Sequence, residues 1–266
     1  MGDLPASRRW PTVAAALALY ITCLLIAAPA WLLAWWVAHA TDNVASLERP
    51  EGVVWRGRAS TLVIAVSGSD QQRFSNVTWR VSGARLLKGQ LVVEVNVDSK
   101  DTKGSGTLAV EPRAIQLLQS NLTLPASALA AFFPALQLVR PRGEITVRIK
   151  DLLIRRDSAL GDAEMEWINA SMGLSAVNPL GTYRVLAKAK DGPVQFEIIT
   201  LNGALQLAGG GAWSATQGLS FSGTARANPS QAANLRNLLL LLGRDDGNGN
   251  FQLKYAARSK QPITSP

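Results

Sequence analysis

Glu144-Ile145-Thr146-Val147-Arg148-Ile149-Lys150 sets an apolar side chain at every second position and a polar or charged one between. Extended backbone turns that period of two into one apolar and one polar face, the pattern of a half-buried antiparallel strand. The same period recurs on both sides, at Leu62-Ile64-Val66, Leu91-Val93-Val95-Val97, Tyr183-Val185-Ala187, Val194-Phe196-Ile198, Leu205-Leu207, Leu219-Phe221 and Phe251-Leu253-Tyr255. Turn-forming pairs punctuate these runs: Ser82-Gly83, Lys103-Gly104, Asp191-Gly192-Pro193 and Asn202-Gly203. The reading is mainly β, as one antiparallel sheet with one or two short helices.

Two stretches break the period. Leu124 to Pro134 is alanine-rich between prolines and suits a short helix or an irregular crossing. Asn228 to Gly243 is a stronger helix: Pro229 fits the first turn, Leu235, Leu238, Leu239 and Leu242 recur at helical spacing, and Gly243 ends it. Leu240 and Leu241 widen its apolar arc beyond the ~100° that one sheet would cover. Either a loop near Phe132 and Phe133 covers them, or they form a docking surface.

Ahead of the strands stands an uncharged run from Pro11 to Ala38, preceded by Arg8-Arg9-Trp10. As one helix it would be about 42 Å long, more than the ~30 Å core of a bilayer. Arg8 and Arg9 before it, against Asp42 and Glu48 after it, place the N-terminus in the cytoplasm. Trp10 at one end and Trp31, Trp35 and Trp36 at the other suit the two headgroup regions. Ala38-His39-Ala40 has the spacing of a signal-peptidase site, but a signal h-region is only ~7–15 residues, so a retained anchor is the expectation. The domains read as a cytoplasmic tail 1–9, a transmembrane helix 10–40, a linker 41–50, a β-rich exported domain 51–260 and a tail 261–266.

Net charge is +8, which suits an anionic surface or an acidic partner. Nucleic acid is excluded as a partner by export and by the scatter of the arginines. One cysteine, Cys23, lies in the apolar run, and one histidine, His39, follows it. No intrachain disulfide can form, and no metal, haem or iron–sulfur site is expected.

Catalytic patterns do not occur. There is no Gly-x-Ser-x-Gly, no phosphate-cradling loop and no His-Glu-x-x-His. Asp162, Glu164 and Glu166 share one strand face and read as a solvated row opposite Arg155, Arg156 or another basic neighbour. Asp246-x-Asn248-x-Asn250 begins like a calcium loop, yet Phe251 stands where glycine is obligatory and Ala257 where the closing glutamate belongs. It reads as a turn. No enzyme, cofactor or small-molecule substrate is expected.

The most specific stretch is Glu51-Gly52-Val53-Val54-Trp55-Arg56-Gly57-Arg58-Ala59. Together with the apolar run, Val77-Thr78-Trp79-Arg80, Leu180-Gly181-x-Tyr183, Leu242-Gly243 and Phe251-x-Leu253, it resembles protein N of the type II (general) secretion pathway, in order over nearly the whole chain. The resemblance implies a single-pass protein of a Gram-negative inner membrane with its C-terminal domain in the periplasm. It implies an accessory role, as a scaffold in the export of folded proteins across the outer membrane. The implied partners are inner-membrane platform subunits, with the secretin and a second copy as further candidates. Trp55, Arg56, Arg58, Leu240 and Leu241 are the candidate partner surface.

A rival reading is an anchored envelope protein that handles lipid in a curved β-groove. An open apolar channel inside the sheet would separate it from a scaffold with a closed core. A weak echo, Val77-x-Trp79 with Gly89-x-Leu91 against Met165-x-Trp167 with Gly181-x-Tyr183, suggests two similar halves meeting near 125–142. Chance repetition in a β-meander would produce the same echo.

Overall fold

The computed structural model describes residues 10–65, 71–86, 89–111, 113–129, 138–155, 158–214 and 217–257. Two helices, α1 (Trp10–Ile26) and α2 (Ala30–Ala40), lead into β1 (Ala45–Val53), β2 (Arg56–Ala65) and β3 (Gln71–Val81). A single turn, α3 (Gly83–Leu86), precedes β4 (Leu91–Asp98), β5 (Lys103–Glu111) and β6 (Ala114–Pro125). Then come β7 (Arg142–Arg155), β8 (Ala159–Ser171), β9 (Gly181–Gly192), β10 (Val194–Gly203), β11 (Leu205–Ser214) and β12 (Gly218–Ala227). Helix α4 (Ala232–Leu242), β13 (Arg244–Asp245) and β14 (Asn250–Ala257) end the described chain.

All the strands join one 14-stranded antiparallel sheet in chain order, except that β14 inserts between β12 and β13. The sheet is open, with β1 and β13 at its two edges. Strand pairs directly opposite one another share a face. One row of such pairs runs Ala59, Val77, Val97, Gly104, Leu122, Val147, Met165, Val185, Ile198, Gly209, Gly223, Leu253, without a polar side chain from β2 to β14. The next row along includes Arg58, Thr78, Asn96, Ser105, Asn121, Arg148, Glu164 and Lys254. The period of two therefore gives the whole sheet one apolar and one polar face. Register shifts at Ser105/Thr107, Ile149/Asp151 and Thr200/Asn202 mark bulges that bend the strands.

The run from Pro11 to Ala38 is not one helix. It breaks at Ala27-Ala28-Pro29, where Ala28 O accepts a hydrogen bond from Val54 N–H at 2.8 Å and Pro29 bridges to Val53. Proline cannot continue the α1 hydrogen-bond ladder, and the sheet supplies the partners the ladder loses. Helix α2 thereby packs against β1 and β2. The 17 residues of α1 measure about 26 Å, and no helix among the described residues is long and apolar enough to cross a membrane. The stretch 41–50 is more than a link, since β1 starts at Ala45 and pairs along β2. Arg8 and Arg9 lie outside the described residues, as do Phe132 and Phe133.

Three buried clusters hold elements to the apolar face. Under α2 they are Ala30, Ala59, Trp79 and Val81. Around a 3-10 turn at Ala126–Ala128 they are Leu124, Ala126, Ala128 and Ile145. Under α4, Leu235, Leu238 and Leu239 pack with Leu180, Tyr183, Leu205 and Phe251.

Candidate functional site

The N-terminal end of the apolar face is a groove. Strand β3 brings Trp79 inward, and its indole N–H donates to Val54 O at 3.0 Å, which fixes the ring across the β1–β2 turn. Gly57, directly opposite, makes this possible: a Cβ there would sit 2.5 Å from the indole carbon Cζ2. Helix α2 closes one side with Leu33, Trp36 and Val37. Between helix and strands β1 to β5 lies a cavity of about 610 Å³, and its lining side chains are all apolar. The volume falls within the ~300–1,000 Å³ usual for ligand cavities.

The membrane-anchor candidates divide here. Trp31 and Trp35 are exposed, whereas Trp36 lines the cavity on one side and is half exposed on the other. The Trp35 ring lies 4.2 Å from that of His39, the chain's one histidine, tilted by 35°. Trp10 begins α1.

The hairpin candidates also divide. Trp55 is half buried and lines the groove, while Arg56 and Arg58 are exposed on the opposite face. Arg58 forms a 2.6 Å ion pair with Glu51. These three residues do not make one surface, because the turn between β1 and β2 sends the indole inward.

Two of the three carboxylates in the acidic row, Glu164 and Glu166, are paired by their neighbours. On the polar face Arg184 of β9 meets Glu164 at 2.9 Å and Glu166 at 2.6 Å, and Arg148 of β7 lies 3.6 Å from Glu166. The hydrogen bond to Glu166 raises the Arg184 pKa above its ordinary value. Carboxylates held this way are structural counter-charges. Their basic partners are Arg148 and Arg184; Arg155 pairs with Asp191 at 3.3 Å instead, and Arg156 lies outside the described residues. Adjacent registers decide this, and both arginines belong to neighbouring strands' alternation.

Asp246 Oδ1 accepts backbone N–H groups from Asn248 at 2.8 Å and Asn250 at 3.2 Å, closing the turn between β13 and β14. These bonds, the one from Asn248 foremost, hold its carboxyl below the usual aspartate value. Among the described residues no group of three His, Cys, Asp or Glu side chains is placed to hold a metal.

At the other end, α4 buries Leu235, Leu238 and Leu239, but Leu242, read as the fourth core position, is 40% exposed. The chain leaves the helix there at Gly243 in extended conformation. Leu240 and Leu241 are 54% and 74% exposed, and with Leu242 they make an uncovered apolar ridge.

The family of type II secretion system (T2SS) protein N matches residues 43–254, which is the whole sheet except the last three residues of β14. The chain belongs to this family. The chain is therefore a component of the type II secretion system, and its family is an accessory part of that machine. The match starts at Asn43, so neither α1 nor α2 contributes to it. No curated protein and no solved structure matches the chain.

Proposed function

We propose that this chain is held at the inner membrane by α1 and works in the periplasm as a non-catalytic scaffold of the secretion machine. The apolar ridge of Leu240 and Leu241 carries this reading, since exposed apolar area of that kind marks interaction sites. Partners of this kind are the platform subunits, with the secretin and a second copy as further candidates. Attachment through α1 is supported by its exposed apolar side chains, Val13, Leu17, Leu19 and Leu24 among them, which water would not favour. The exposed Trp31 and Trp35 would then rest at the headgroups, and Arg8 and Arg9 would keep the N-terminus inside. Arg56 and Arg58 offer a second, charged contact on the polar face.

The test is a paired one. Replacing Leu240 and Leu241 by aspartate should leave the melting temperature unchanged and abolish both secretion and co-purification of platform subunits. Unchanged secretion would refute the scaffold surface. A periplasm-dependent reporter should work when fused after Pro50 and the protein should resist carbonate extraction; release by carbonate would refute attachment. The two-halves reading of the domain is likewise a proposal. It is supported by Trp79 and Trp167, each of which donates its indole N–H to a carbonyl 25 residues earlier, Val54 and Arg142.

A further inference from the structure

The groove beneath α2 has a chemistry that selects its occupant. Leu33, Val93, Val95, Leu108 and Val110 line it, with no charged group to recognise a head or a polar ring. The N–H of Trp79, one of its lining residues, is already committed to Val54 O. The apolar face does not stop at the cavity. Val110 pairs with Ile115 and Ile115 with Ile154, which are 44% and 40% exposed on the same face, and Leu122 nearby is 37% exposed. An extended, unbranched apolar ligand fits this track, whereas a compact one would leave the far part uncovered. Helix α2 forms a wall of the cavity and follows α1 in the chain after only three residues, so the wall is joined directly to the exposed apolar side chains of α1.

We propose that the groove between α2 and strands β1 to β5 binds an acyl chain of a membrane lipid, taken up beside α1. This deepens the function proposed above and rests on its membrane attachment. Each methylene removed from water would tighten binding about fourfold. The headgroup would remain outside, so selectivity should follow chain length and leave headgroup type nearly indifferent.

The test uses the full chain reconstituted in vesicles of phosphatidylethanolamine and phosphatidylglycerol. The probe is a phosphatidylethanolamine with a diazirine at the end of one acyl chain, and labelled residues are mapped by mass spectrometry after illumination. Label is expected on α1 and on the inward residues Val93, Val95, Leu108 and Val110, with the outward Glu94 and Thr107 next to them unlabelled. Val93→Trp, which fills the cavity, should remove the strand label while the α1 label persists. Label on α1 with none on the strands overturns the groove proposal and leaves attachment standing. Absence of label on α1 overturns attachment itself. Strand label without the period of two, or unchanged by Val93→Trp, also overturns the proposal, and the first of these outcomes is independent of whether the variant folds. Unlabelled strands in a chain that crosslinks to a second copy through them would assign the groove to a dimer contact instead.

Discussion

The two ends of the sheet carry a helix on the same apolar face and treat it differently. At the C-terminal end α4 drives three leucines to 0–5% exposure, among Tyr183, Leu205 and Phe251. At the N-terminal end α2 buries one alanine, Ala30, and leaves a cavity of about 610 Å³ between itself and the strands. The difference lies in side-chain volume at the facing positions. A leucine stripe fills the space beneath α4 and is itself buried, whereas Ala30 with half-buried Leu33 leaves a cavity. One end is a core and the other a container, on strands of the same pattern.

The largest expected effect tests the one bulky side chain that the open end does bury. Trp79→Ala should destabilise the protein by about 3–5 kcal/mol in urea unfolding of the detergent-solubilised chain. A loss below about 1 kcal/mol would mean that the open end contributes little to folding, sharpening the contrast beyond what is drawn here.

The contrast itself is put at risk by a matched pair. Leu235→Ala, at a fully buried site, should cost about 2–5 kcal/mol, and Leu33→Ala, beside space that already exists, less than about 1 kcal/mol. Equal losses would break the distinction between core and container.

Tyr183→Phe tests how well the closed end is satisfied. Its hydroxyl donates to Leu205 O at 2.9 Å in a buried site, and burial pushes the phenol pKa well above its ordinary value, so the group stays neutral. Removing the bond should cost about 0.5–1.5 kcal/mol at neutral pH, and the gap should close as pH rises past the ordinary tyrosine value of about 10, because the unfolded tyrosine ionises there while the buried one stays neutral.

The smallest effect belongs to the exposed turn beside β14. The Asp246 pKa is depressed in the folded state, so its contribution is complete above the ordinary aspartate value of about 3.9 and is lost as pH falls through the lower folded value. Asp246→Ala should lower the melting temperature slightly at neutral pH, and the gap from wild type should close in that acid window. A gap that persists at lower pH would show that the turn does not depend on the ionised carboxylate.

The strand patterns at Ile145-Val147-Ile149 and Leu91-Val93-Val95-Val97 and the leucine stripe of α4 were legible in the chain, because each is a local period read within one element. Strand β5 was hidden, since Gly104 and Gly106 interrupt its apolar positions, and β1 was hidden by Arg49-Pro50. The candidate groove was half legible: Trp55 reads as part of a partner surface and Trp79 as part of the family's pattern, and neither position shows that the two rings line one space. The arginine partners of Glu164 and Glu166 could not be read at all, as Arg148 and Arg184 reach them only through the registers of β7, β8 and β9.

The N-terminal run shows the limit most directly. Its apolarity determined that Pro11 to Ala38 would be helical and would avoid water, and Pro29 marked where a helix could break. Lipid and the apolar face of a sheet satisfy such a run equally, so composition could not choose between a single span and a fold-back. Contacts with Val53 and Val54, some 25 residues further along, decided that α2 turns onto the strands. Local periodicity assigns each residue to a face, while the hydrogen-bond partners available across the chain decide which faces meet and how much space is left between them.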